Sequence, residues 1–166
     1  MDRSSRGGRV SELPHLDNAG AARMVDVSDK AATARTAVAT GVVRTTAEVI
    51  SLLRADGLPK GDALATARIA GIMAAKRTPD LIPLCHPIAI TGVTVDLTVG
   101  ATDVAITATV RTTDRTGVEM EALTAVAGAG LALHDMIKAI DPAAVLDAVR
   151  VERKEGGKTG LWERPQ

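Results

Sequence analysis

Two periods of hydrophobicity run through this chain and divide it into strands and helices. "ARMVDVSDK" (22–30) and "TARTAVATGVVR" (33–44) alternate apolar and polar positions, the period of half-buried strands. "TTAEVISLLRADG" then predicts a helix over about 47–55, with Thr45 or Thr46 as N-cap and Gly57 as stop. In "GDALATARIAGIMAAKR" Asp62 stands at the start of a second helix. Its apolar face is expected at Ala65, Ile69, Ile72 and Met73, and Lys76 and Arg77 suit its C-terminal end. Pro79 breaks that pattern, and Pro83 and Pro87 keep the following stretch extended.

The clearest β signal comes next. Val93, Val95, Leu97 and Val99 alternate with Thr94, Asp96 and Thr98, and Val104, Ile106, Ala108 and Val110 repeat the alternation after "GATD". That predicts a hairpin with one apolar face. Leu123, Val126, Gly130, Leu133, Ile137 and Ile140, spaced by threes and fours, predict a long helix from near Glu119 to about Ile140, ended by Pro142. "AVRVERK" (148–154) reads as a last strand before a flexible "EGGKTG" loop. The expected class is α+β, an antiparallel sheet with helices packed on one face. The expected organisation is a polar tail over 1–12, a single domain over 13–160 and a short tail over 161–166.

Composition narrows the function. The 166 residues carry 20 Lys and Arg against 20 Asp and Glu, a balance that argues against a general nucleic-acid or membrane-surface binder. No apolar run approaches the roughly 20 residues of a membrane span, and the start "MDRSSRGGRVSEL" lacks the apolar stretch of a secretory signal. One cysteine cannot form an internal disulfide, so the cytoplasm is the expected compartment. The chain has no Phe or Tyr and one Trp, so its core must be aliphatic and it offers no base-stacking platform. A core without large side chains gains burial through subunit contacts, and an oligomer is expected.

Candidate chemistry begins with "DLIPLCHPIAI" (80–90), which sets the only cysteine, Cys85, beside His86. Zinc needs three or four ligands, and the only other histidines are His15 and His134, so no metal is expected. Neighbours on an extended chain point to opposite faces, so His86 is not expected to serve as base for Cys85. The choice is between a buried cysteine with a capping histidine and a binding edge, and the two prolines favour the edge. In "TGVEMEAL" Glu119 and Glu121 sit in a helix's first turn, where the dipole favours carboxylates. They are equally suited to accept the paired N–H donors of a guanine or pterin ring. In "LHDMIKA" Asp135 and Lys138 lie three apart, as a solvated ion pair or an acid–base pair. Asp135 is close in angle to apolar Leu131, which predicts a guarded carboxylate. "KEGGKTG" lacks the first glycine and the following helix of a Walker A loop, leaving Lys154 and Lys158 as point charges for anions. Lys60 precedes a helix N-terminus, a place already favourable to anions.

Taken together, "KGDALATARIAGIMAAKRTPDLIPLCHP", "RTGVEMEALTAV", "HDMIKA" and "KEGGKTG", in this order and spacing and with "ARMVDVSDK" ahead of them, resemble the cyclic pyranopterin monophosphate synthases of molybdenum cofactor biosynthesis, the MoaC family. The resemblance runs from about residue 13 to 160. It implies a ferredoxin-like α+β fold assembled as a homohexamer, a trimer of dimers with active sites at the dimer interface. It implies conversion of 3′,8-cyclo-7,8-dihydroguanosine 5′-triphosphate, made from GTP by a partner radical GTP 3′,8-cyclase, to cyclic pyranopterin monophosphate with release of pyrophosphate. It names no cofactor. By the same resemblance Asp135, Lys138 and Lys60 are catalytic, while Leu84, Cys85, His86, Glu119, Met120, Glu121, Arg35, Arg115 and Lys154 bind substrate. The physical division is then acid–base work by Asp135 and Lys138, and neutralisation of the leaving pyrophosphate by Lys60, Arg35 and Lys154. His134 and Ile137 stand where family members commonly carry Tyr and Cys. A nucleotide-sensing paralogue without chemistry is the alternative.

Overall fold

The computed structural model describes residues 15–17, 19–58 and 60–166; the tail expected over 1–12 lies outside them. The chain runs β1 (Thr33–Arg44), α1 (Ala47–Arg54), α2 (Ala63–Lys76), α3 (Thr78–Leu81), β2 (Ile90–Val99), β3 (Asp103–Asp114), α4 (Glu119–Ile137), β4 (Val145–Glu155) and β5 (Trp162–Glu163). The strands form one antiparallel sheet in the order β2-β3-β1-β4-β5. Without β5 this is the ferredoxin-like arrangement, with the first and last strands of the βαββαβ unit side by side. β5 lies just past residue 160 and pairs through Arg153↔Glu163 and Lys154↔Trp162.

Alternation decides which face the helices cover. Ala37, Ala39 and Val43 of β1 pair with Val110, Ala108 and Val104 of β3, and all six are buried. Gly41 belongs to the same row. A Cβ there would stand 2.6 Å from a Val126 methyl, so this glycine lets α4 lie close on the sheet. α4 is buried on two sides, by Val126, Leu133 and Ile137 as the spacing predicted and by Ala122, Ala125, Ala129 and Met136 in addition. It ends at Ile137, three residues short of expectation.

α2 corrects the predicted face. Ile69 and Met73 are 59% and 54% exposed, whereas Ala63, Ala67, Gly71 and Ala75 are the buried positions. The reason is close approach of two helices through small residues. A Cβ on Gly71 would meet the Ala125 carbonyl oxygen at 2.8 Å and the Ala129 methyl at 3.1 Å, and one on Gly128 would collide with Ala74. No larger side chain fits that seam.

The capping predictions hold at α1 and α2: Thr46 accepts from Val49 N, and Asp62 from Ala65 N at 2.9 Å. The expected strand over 22–30 does not form. Asp26 accepts from both the amide and the hydroxyl of Ser28, and Lys30 N bonds Val27 O, so turn chemistry outweighs the alternation. Among the described residues no helix is long and apolar enough to cross a membrane.

Candidate active site

α2 and α4 run antiparallel, and the residues with candidate chemistry gather at opposite ends of that pair. At one end Lys60, just before α2, donates from Nζ to Oδ2 of Asp135 at 2.7 Å and to the Asp135 carbonyl at 2.9 Å. Lys138 closes on the other carboxylate oxygen at 2.7 Å. These two ammonium groups hold the Asp135 carboxyl down at about 2, Lys138 contributing most. Asp135 is therefore an anion across the working pH range. It is not guarded as the sequence suggested: its side chain is half-exposed, and neighbouring Leu131 is 66% exposed.

At the other end the loop after α3 and the first turn of α4 enclose a cavity of about 410 Å³, lined by Leu84, Cys85, His86, Glu119, Met120 and Glu121, with His15, Val25, Val27, Lys30, Thr116 and Gly117 completing it. A turn through Cys85 N to Ile82 O starts the loop, and no ladder bond constrains it until β2. Cys85 and His86 both line this cavity, against the expectation that they face apart. They remain chemically separate for another reason. His86 is committed through Nε2, which donates to the Val25 carbonyl at 2.6 Å, and a carbonyl can only accept. Burial, and secondarily the Glu121 carboxylate, push the Cys85 thiol up, away from the nucleophilic thiolate.

Glu121 is the least accessible charged group in the site, 3% exposed. Burial raises its carboxyl to about 7, helped by Glu119. Lys154, from β4, reaches Glu119 at 2.9 Å. Among the described residues a cation thus stands beside Glu119 and none beside Glu121.

A second, larger cavity of about 750 Å³ adjoins the first and shares Lys30, Thr116 and Gly117 with it. Arg35 and Arg115 lie here, with Lys158. The Arg35 guanidinium is fixed by two carbonyls, Nε to Asp114 O at 3.0 Å and Nη2 to Arg115 O at 3.2 Å. Lys30, at the junction of both cavities, was not among the expected site residues. Its signal was its place at the end of "ARMVDVSDK". Among the described residues no group of three or more His, Cys, Asp and Glu could hold a metal ion.

Glu121 and Asp135 are fourteen positions apart on one helix, about 20 Å at 1.5 Å per residue. A single chain thus carries two separate clusters: a lysine-clamped carboxylate, and a carboxylate-bearing cavity that adjoins a basic one. The frame that carries both is a ferredoxin-like α+β fold. Comparison with known proteins gives the family. Residues 24–157 match the MoaC family model, and the chain belongs to that family. It is 67% identical over 94% of its length to a Mycobacterium tuberculosis protein named cyclic pyranopterin monophosphate synthase 2, covering 93% of that relative. It is 64% identical to the Streptomyces coelicolor cyclic pyranopterin monophosphate synthase, over 99% of this chain and 98% of the relative. The synthase of a Roseiflexus species is 59% identical, over 91% and 97%.

Proposed function

We propose that this protein is a lyase of molybdenum cofactor biosynthesis that converts 3′,8-cyclo-7,8-dihydroguanosine 5′-triphosphate to cyclic pyranopterin monophosphate and pyrophosphate. The substrate comes from a partner radical GTP 3′,8-cyclase in the cytoplasm. Family membership and the names carried by relatives at 59–67% identity support the reaction.

The site is shared between two chains. What carries this reading is the separation of the half-sites: one substrate can meet both Asp135 and Glu121 only if the Asp135 end of one copy abuts the cavity end of another. The exposed Ile69, Met73 and Leu131 on the helical layer favour association, since large apolar side chains gain by leaving water. The assembly is a homohexamer, a trimer of such dimers.

In each composite site Glu121 and Glu119 accept the N–H donors of the purine-derived ring, against Leu84, Cys85, His86 and Met120. From the other chain come Asp135, Lys138 and Lys60. Opening and rebuilding the ring moves protons on nitrogen. Asp135 is held as an anion by its two lysines, so its main contribution is to orient the Lys138 and Lys60 ammonium groups, which donate. Arg35, Arg115 and Lys154 neutralise charge on the phosphate side.

The test is incubation of the pure protein with the radical cyclase, its reductant and GTP, followed by chromatography of the oxidised pterin product. Accumulation of cyclic pyranopterin monophosphate with one pyrophosphate per turnover is expected. Accumulation of the cyclised nucleotide alone would identify a binding protein without chemistry and overturn the proposal.

A further inference from the structure

The alternation of "ARMVDVSDK" predicts a strand, and what forms is a segment with no place in the sheet. Over 22–32 its hydrogen bonds among the described residues stay local: Arg23 N to His15 O, Ser28 to Asp26, and Lys30 N to Val27 O. One hydrogen bond among the described residues ties the segment to the body of the protein. His86 Nε2 donates to the Val25 carbonyl at 2.6 Å, across 61 positions of sequence.

The alternation still has a use. Val25 and Val27 are half-buried and line the smaller cavity, Asp26, Asp29 and Ala31 line the larger, and Lys30 lines both. One short segment thus supplies part of the wall of two adjoining cavities. Its chain enters β1 at Thr33, which fixes one end. Apolar contact by Val25 and Val27 is non-directional and does not set their position along the wall; the bond from His86 does. His86 makes a firm post, because Pro87 restricts the backbone of the residue before it to the extended region.

We infer that His86 is a positioning residue: by latching the Val25 carbonyl it holds segment 22–32 in place as the common wall of both cavities. Its Nε2 is spent on the protein, leaving Nδ1 as the one ring nitrogen available to a ligand. Without the latch the segment opens more often, and a ligand that needs the wall binds only the fraction of molecules in which it is closed. The consequence for turnover rests on the proposed function, whereas the latch itself does not.

Trypsin is the probe, applied to the full-length protein without ligand and followed by mass spectrometry. Arg23 and Lys30 are exposed within the segment, and exposed Lys158 in the loop after β4 is the internal control. Cleavage under mild conditions tracks the open population. Three variants separate the two ring nitrogens. His86→Ala removes both. His86→Gln carries an amide nitrogen as many bonds from Cα as Nε2, and His86→Asn one as many bonds from Cα as Nδ1. Cleavage after Arg23 and Lys30 should rise roughly two- to tenfold in His86→Ala and His86→Asn, the worth of one hydrogen bond, and return towards wild type in His86→Gln. Cleavage after Lys158 should stay constant. In turnover the same two variants should raise KM by a similar factor with a smaller change in kcat. Equal cleavage in all four proteins, an equal rise at Lys158, or rescue by asparagine and not by glutamine would overturn the latch. The expected cleavage pattern in a protein that forms no pterin would leave the latch standing and overturn the proposed reaction.

Discussion

Lys60 and Asp135 are 75 positions apart in the chain and meet at 2.7 Å, because antiparallel packing of α2 on α4 brings the start of one helix beside the end of the other. Both therefore belong to one cluster within a single chain. Asp135→Asn should leave the fold intact, since the side chain is half-exposed and bonds only the two lysines. Turnover should fall by about 10²–10⁴, the usual worth of acid–base machinery. Thermal melting and kcat measured on the same preparation check both statements.

Sites shared between chains, as proposed, make complementation directional. Mixing Asp135→Asn with His86→Ala chains should restore up to about a quarter of wild-type activity under random pairing in a two-fold dimer. Mixing Asp135→Asn with Lys60→Ala should restore none, because both lesions fall in the same half. Recovery in the second mixture, with subunit exchange verified by mass spectrometry, would refute the pairing of half-sites.

Cys85→Ser should retain most turnover. The thiol is pushed up by burial and by Glu121, and His86 spends its Nε2 proton on Val25. Alkylation of Cys85 by iodoacetamide at pH 7 should likewise be slower than that of free cysteine, followed by intact mass.

Glu121 gives the protein a pH signature. Its carboxyl sits near 7 in the folded chain against about 4.5 unfolded, so between those values the unfolded state releases a proton that the folded state keeps. Stability is full below about 4.5 and falls as pH rises towards 7, by at most about 1.4 kcal/mol per pH unit. Glu121→Gln removes the titration. Its melting temperature should exceed that of the wild type at pH 8, and the difference should vanish near pH 4.5.

The helix seam predicts a packing defect. Gly71→Val forces a branched side chain against the Ala125 carbonyl and the Ala129 methyl, and should cost about 1–3 kcal/mol in overpacking. The midpoint of urea unfolding measures it. Met73→Ala on the exposed face of the same helix should cost the isolated chain far less.

The sequence by itself determined the elements and their class. Alternation in β1–β3, the Thr46 and Asp62 caps and the three-four spacing along α4 are local signals, and local interactions are what produce those elements. It also determined the chemistry available, since Cys85-His86, Glu119-Glu121 and Asp135-Lys138 are legible as pairs. Tertiary structure decided everything that depends on distance across the fold. It turned Ile69 and Met73 outward, because contact between α2 and α4 selects for small volume rather than hydrophobicity. It dissolved the strand expected over 22–30, which finds a turn but no ladder. It gave Glu119 a lysine and buried Glu121, whose carboxyl that burial raises to about 7. It placed Lys30, the last residue of "ARMVDVSDK", at the junction of two cavities. Above all it packed the two ends of α4 against different neighbours, Asp135 against Lys60 from the start of α2 and Glu121 into the cavity beside Cys85, because a helix fixes the separation of its residues.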